Sequence, residues 1–100
     1  MKESKCLEFK SAITNSFLKT VSAYSNFGDG EILFGVNDDG AVCGIDNLEQ
    51  VCLDIENKIN DSITPKPDFE IEIDESKQTI RLMVYEGQYK PYLYKGKAYR

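Results

Sequence analysis

A glycine-hinged reversal at Gly28-Asp-Gly30 constrains this 100-residue chain more than any other feature. Before it, Ile13, Phe17, Val21 and Tyr24 recur at spacings of four, four and three, with Leu18 beside them. That is the apolar stripe of an amphipathic helix. After it, Glu31-Ile-Leu-Phe-Gly-Val-Asn37 carries apolar residues on both faces, which predicts a strand inside a sheet. Glycine reaches left-handed backbone angles without steric cost, so Gly28 and Gly30 suit a sharp turn from helix to strand. Asp38-Asp-Gly40 then predicts a tight turn, with Ala41 to Ile45 returning as the partner strand. This order sets Asn26 at the helix end as a C-cap, and Asp38 at the strand end, where its carboxylate projects from a rigid frame.

The remaining elements follow from the same periodicities. Leu7 and Phe9 alternate with Glu8 and Lys10, predicting a short first strand, and Ser11 or Thr14 can cap the helix after it. Asn47 with Gln50 resembles a capping box, and Leu48, Val51, Cys52, Ile55, Ile59 and Ile63 mark a second amphipathic helix closed by Pro65 and Pro67. Phe69, Ile71 and Ile73 alternate with acids, Ile80, Leu82 and Val84 alternate with Thr79, Arg81, Met83 and Tyr85, and Asp74-Glu-Ser-Lys77 joins the two runs as a hairpin. A last short strand is expected from Lys97 to Arg100. The order β-α-β-β-α-β-β predicts an α+β fold, a mixed, mainly antiparallel sheet of about five strands with two helices on one face. One domain is expected over residues 1–100, and its stop at Ala98-Tyr-Arg100 points to a domain cut from a longer protein.

Composition narrows the chemistry. The chain has no histidine, so it cannot build a Ser-His-Asp or Cys-His machine by itself. Cys6, Cys43 and Cys52 lack Cys-x-x-Cys spacing and do not make a zinc site; they are expected to be mostly buried thiols in a reducing cytoplasm. No apolar run is long enough to span a bilayer, and the first six residues carry no secretory pattern, so no membrane association is expected. Gly30-x-x-x-x-Gly35 lacks the Lys-Ser/Thr of a phosphate loop, and Gly28-x-Gly30 lacks the third glycine of a dinucleotide fingerprint.

Net charge is −5, yet the charge is unevenly spread. Residues 1–86 hold 8 basic and 17 acidic side chains, whereas residues 87–100 hold Lys90, Lys95, Lys97 and Arg100 with no acid. An acidic protein can present a local basic surface in this way. Tyrosines interleave with these cations, and Lys90, Tyr92, Tyr94, Lys95, Lys97 and Arg100 are the candidate contacts to nucleic acid, rings stacking on bases and cations meeting phosphates. The competing reading is a strand pair with half-buried tyrosines and lysines guarding its edge.

An ordered set of motifs now bears on family. Glu3-Ser-x-x-Leu-Glu8-Phe-Lys10, Val21-Ser-Ala-Tyr-Ser-Asn26, Gly28-x-Gly30, Leu33-Phe-Gly35-Val-Asn-Asp38-x-Gly40 and Gly44-Ile45 resemble the Schlafen-type, Alba-like domain of bacterial regulators. Lys90-Pro-Tyr92 and Tyr99-Arg100 are similar to its closing segment. Asp29 interrupts the family's usual glycine pair, Asn37 stands for its first aspartate and Tyr24 for a phenylalanine. The resemblance implies a nucleic-acid-binding module, DNA or RNA, of a transcriptional regulator, and a homodimer.

It also implies a rival, a ribonuclease using three acids and a divalent metal, Mg²⁺ or Mn²⁺. Carried over, the metal-holding catalytic acids are Glu3, Glu8 and Asp38, and Lys10 in Glu8-Phe-Lys10 resembles the lysine that steadies water or phosphate in metal nucleases. Glu3 and Glu8 are five apart, so they converge only if Glu3 precedes the strand or a bulge intervenes. Asp29 adds a negative charge that opposes a phosphate path if it points there. A third reading is a protein-interaction or dimerisation domain without affinity for nucleic acid.

Overall fold

The computed structural model describes residues 6–99. The first apolar alternation forms β1 (Leu7–Lys10), and the amphipathic stripe forms α1 (Phe17–Phe27). Beyond the glycine hinge runs β2 (Gly30–Phe34), followed by α2 (Leu48–Ser62), β3 (Ile63–Thr64), β4 (Asp68–Asp74), β5 (Thr79–Tyr85) and β6 (Leu93–Tyr94). The main sheet has the order β1-β2-β5-β4, and β3 pairs with β6 in a separate two-stranded ladder. β1 and β2 are parallel neighbours, which requires a crossover that α1 supplies. Every other pairing is antiparallel. The expected α+β class with two helices and a mixed sheet is what the chain adopts.

Register decides which side of each strand meets the helices. Ile32 pairs with Leu82 and Leu82 with Ile71, while Phe34 pairs with Ile80. These residues share one face with Phe17, Leu18 and Val21 of α1 and Ile55 and Ile59 of α2, forming one buried cluster. Phe17 meets Phe34 edge-on at 5.4 Å between ring centroids, a geometry that aligns ring edge with ring face. The apolar run of β2 was predicted to lie inside a sheet, and β2 sits between β1 and β5.

The opposite sheet face carries Glu31, Leu33, Arg81, Glu72 and Glu70. Arg81 reaches Glu31 at 3.9 Å and Glu72 at 3.6 Å, and Tyr85 donates to Glu70 at 2.5 Å. The carboxylate beside it raises the Tyr85 hydroxyl above its ordinary pKa. These half-exposed ion pairs contribute about 1 kcal/mol at most.

Several local expectations need correction. Ala41 to Ile45 is not a strand; Val36 and Val42 form a single bridge. The Cys43 and Gly44 N–H groups both donate to the Gly35 carbonyl, at 2.8 and 3.0 Å. Gly35, Gly40 and Gly44 take φ of 92°, 89° and 80°, so the chain curls back over Gly35 instead of running straight. The final strand lies at Leu93–Tyr94, earlier than expected, because Lys95 and Gly96 turn the chain. α1 begins at Phe17, after a turn in which the Thr14 and Asn15 carbonyls accept from Phe17 and Leu18. Neither helix has a side-chain cap, so Ser11, Thr14 and Asn47 do not cap. The thiols are less buried than expected: Cys6 and Cys43 are exposed and Cys52 is half-buried. Partial burial and then the Glu56 charge push the Cys52 thiol above its ordinary pKa. No helix among the described residues is long and apolar enough to cross a membrane.

Candidate nucleic-acid interface and acidic site

The C-terminal segment is held by a polar clamp on α1. Asn26 is buried and is not a C-cap; Gly28, at φ 147°, takes that place. The Asn26 amide donates to the Tyr92 carbonyl at 2.8 Å while its oxygen accepts from the Tyr92 N–H at 2.6 Å. One turn earlier, the Ser22 hydroxyl donates to the same carbonyl at 2.8 Å and accepts from the Tyr99 N–H at 3.2 Å. The Ser25 carbonyl takes the Gly87 N–H at 2.9 Å. The Tyr92 backbone is therefore satisfied by helix side chains, which meets the requirement that buried backbone groups be paired. Asp29 belongs to the same scaffold: it accepts the Glu86 N–H at 2.7 Å, tying the helix–strand hinge to the end of β5.

Two glycines make room for the rings in this region. A side chain on Gly87 would land on the Tyr92 hydroxyl, and one on Gly30 would land on the Tyr24 ring. Tyr92 is 2 % exposed and Tyr94 5 % exposed. Both were expected to offer ring faces to bases; their burial corrects that expectation, because a base cannot stack on a ring the protein has already buried.

What the clamp projects is a two-residue turn. Tyr94 and Lys97 exchange two backbone hydrogen bonds, of 2.9 and 3.0 Å, and Lys95 and Gly96 between them have φ of 52° and 76°. Positive φ at both central residues is the signature of a type I′ turn. Lys95 and Lys97 are exposed on it. Lys95 Nζ lies 5.4 Å from the Tyr94 ring centre and Lys19 Nζ lies 5.8 Å from that of Tyr99, and the two rings are 6.0 Å apart. Lys19, Lys95 and Lys97 have no carboxylate partner within 4.0 Å among the described residues. Lys90 differs, because it forms an i,i+4 ion pair with Glu86. Arg100 lies outside the described residues. Beside Lys95 opens a cleft of about 680 Å³ lined by Asn15, Asp54, Asn57, Lys58 and Asp61 among others, and Lys58 donates to Asn15 at 2.9 Å across it.

The acidic site stands on β1 and the turn after β2. Glu8 and Lys10 project from the same side of β1, two residues apart, toward α1, because they pair with Ile32 and Phe34. Glu8 accepts from the Thr20 hydroxyl at 2.7 Å and lies 3.6 Å from Lys10 Nζ, which donates to Ser16 at 3.2 Å. Asp38 is exposed at the second position of a turn closed by the Gly40 N–H to the Asn37 carbonyl, 2.8 Å. The side chain that braces this turn is Asp39, accepting the Ala41 N–H at 2.9 Å, so the Asp38 carboxylate is not consumed by it. Glu3, the third acid, lies outside the described residues. Among those described, no three acids or cysteines converge as a metal site.

Three residues of this region escaped sequence reasoning: Lys19, Ser22 and the clamp role of Asn26. The signal was present, since Leu18, Ser22 and Ser25 follow helical spacing along the apolar stripe, where hydroxyls have no business unless something polar is packed against them.

The fold and this region define a small α+β module whose basic C-terminal turn is locked to its first helix by buried serine and asparagine. The chain belongs to the Schlafen, AlbA_2 family, which it matches over residues 3–100. Among solved structures it is similar to the N-terminal domain of an ATP-dependent DNA helicase RecG-related protein from Nitrosomonas europaea. That match has 25% identity and a TM-score of 0.64, covering 100% of this chain and 80% of the other. The DIP2311 protein of Corynebacterium diphtheriae shares the fold at 15% identity and a TM-score of 0.64, over 100% of this chain and 21% of that one. No curated protein matches.

Proposed function

We propose that this domain binds nucleic acid through the Lys95–Lys97 turn and the adjoining flank of α1, as one module of a cytoplasmic regulatory protein. The observation that carries the reading is the turn itself, which presents Lys95 and Lys97 next to the Tyr94–Tyr99 ring pair that Lys19 also reaches, none of the three lysines in an ion pair within 4.0 Å among the described residues. Such cations gain by releasing counterions from a phosphate backbone, so affinity falls with salt. The family and the helicase-related neighbour are consistent with a nucleic-acid ligand. Fluorescence anisotropy with labelled single-stranded RNA and duplex DNA at low salt tests it. Lys95→Glu with Lys97→Glu weakens binding by about tenfold or more, while Lys77→Glu, on the distant β4–β5 turn, leaves it unchanged. Absence of salt-dependent binding in the wild type, or an equal loss in the Lys77 variant, refutes the reading. A homodimer is part of the proposal, and sedimentation equilibrium reads it directly.

One arrangement favours the ribonuclease as a second reading. Glu8 and Lys10 converge on one side of β1, and Asp38 keeps its carboxylate unengaged by the turn. A divalent ion there would supply Lewis acidity and an activated water; Glu8 and Asp38 would hold it together with Glu3. Among the described residues alone, that site is incomplete. Incubation of structured RNA with Mn²⁺, beside a Glu8→Ala variant, separates the readings: cleavage lost in the variant supports the enzyme, and equal absence of cleavage in both leaves the binding module.

A further inference from the structure

We infer that β4 is a docking edge for an extended, lysine- or arginine-rich segment of another protein, added to the sheet as a fifth strand. β4 pairs with β5 along all seven residues, Asp68 to Asp74, and no strand covers its other edge among the described residues. The guard on this edge is its outward row of acids alone: within Asp68–Asp74 there is no proline, the register is regular and no charge points inward. Its inward residues, Phe69, Ile71 and Ile73, stay incompletely covered, and Ile73 is 39 % exposed. Between β4 and α2 runs a groove of about 420 Å³ lined by Glu56, Asn60, Phe69 and Ile71, with Lys66 just before β4 and Asp68 at its start. Leu53, 53 % exposed, lies one turn before Glu56 on the same helix face.

Charge selects the occupant. The outward side chains of β4 are Asp68, Glu70, Glu72 and Asp74, all exposed. A second copy pairing antiparallel about Ile71 would set Glu70 against Glu72 and Asp68 against Asp74, on the same face and twice over. Like charges directly opposed destabilise a strand pair, so self-pairing is disfavoured. A segment alternating basic and aliphatic residues reverses each contact: its cations face Glu70 and Glu72, and its aliphatic side chains enter the groove against Ile71 and Phe69. Backbone hydrogen bonds supply affinity and the alternating side chains supply specificity, as in other strand-addition complexes. This inference is independent of the nucleic-acid reading, since it uses the opposite charge and a different part of the molecule.

The probe is the peptide acetyl-Lys-Val-Lys-Val-Lys-Val-Lys-amide, titrated into the full domain and followed by amide chemical shifts and hydrogen exchange. Binding confines shift changes to β4 and residues 53–60 of α2, and slows exchange at alternate β4 amides by about tenfold or more. Two N-methylated versions, on odd or on even residues, separate strand addition from surface charge: one loses binding and the other keeps it. Glu70→Lys with Glu72→Lys, both exposed and checked for an unchanged spectrum elsewhere, weakens binding by about tenfold. Shifts centred elsewhere, equal tolerance of both methylated peptides, retention by the double variant, or no binding at millimolar peptide each overturns the inference.

Discussion

At the scale of single residues, the decisive side chain is Asn26. It serves one backbone unit twice, accepting the Tyr92 N–H and donating to its carbonyl. Asn26→Ala strands the Tyr92 N–H away from water and leaves its carbonyl to the Ser22 hydroxyl alone, and an unsatisfied buried group costs about 1–3 kcal/mol. Urea denaturation is therefore expected to show a loss of about 1–3 kcal/mol, at or above the ~1 kcal/mol typical of a lost helix cap. Ser25 predicts the opposite sign. Its hydroxyl is buried with no hydrogen-bond partner among the described residues. Ser25→Ala removes an unpaired polar group at nearly constant volume, so it leaves stability unchanged or raises it by up to about 1 kcal/mol in the same measurement.

At the scale of elements, close approach explains the glycines that flank the clamp. Gly87→Ala would drive a methyl into the Tyr92 hydroxyl, which also accepts the Tyr89 N–H at 3.2 Å. The ring must move and the C-terminal segment with it, so thermal unfolding should show a loss of about 1–3 kcal/mol. The β4–β5 hairpin supplies a pH dependence. Asp74 accepts from the Ser76 hydroxyl at 2.6 Å and from the Ser76 and Lys77 N–H groups. The Ser76 hydroxyl first, and then these partners, hold its carboxyl below the ordinary value of 3.8. A folded pKa below the unfolded one stabilises above the unfolded value, and that stability is lost as pH falls through the folded value. Stability should thus fall below about pH 4, and Asp74→Asn should flatten that part of the pH profile.

At the scale of the whole molecule, charge is partitioned. β4 and the outer sheet face gather acids, whereas Lys19, Lys95 and Lys97 collect where α1 meets the C-terminal turn. A net charge of −5 therefore says little about what this end of the protein binds. Lys19→Gln should lower the slope of log affinity against log salt by about one for nucleic acid, with little effect on stability, as measured by anisotropy across a salt series.

Local pattern determined what depends on neighbours in the chain. The 3.6-residue stripe of Phe17, Leu18 and Val21, the alternation of β4 and β5 and the continuous apolar run of β2 each dictate burial on one face or two, so helices, strands and the α+β class were legible before any contact was known. The family motifs likewise lay in order along the chain. What required tertiary structure was every feature made by residues far apart: the clamp joining Asn26 to Tyr92 across sixty-six positions, the burial of Tyr92 and Tyr94, and the meeting of Lys19 with the C-terminal rings. Alternating tyrosine and lysine reads the same whether the rings face bases or the core. Only the helix waiting on the other side decides, because a ring that can exclude water against its own protein is no longer exposed to a ligand.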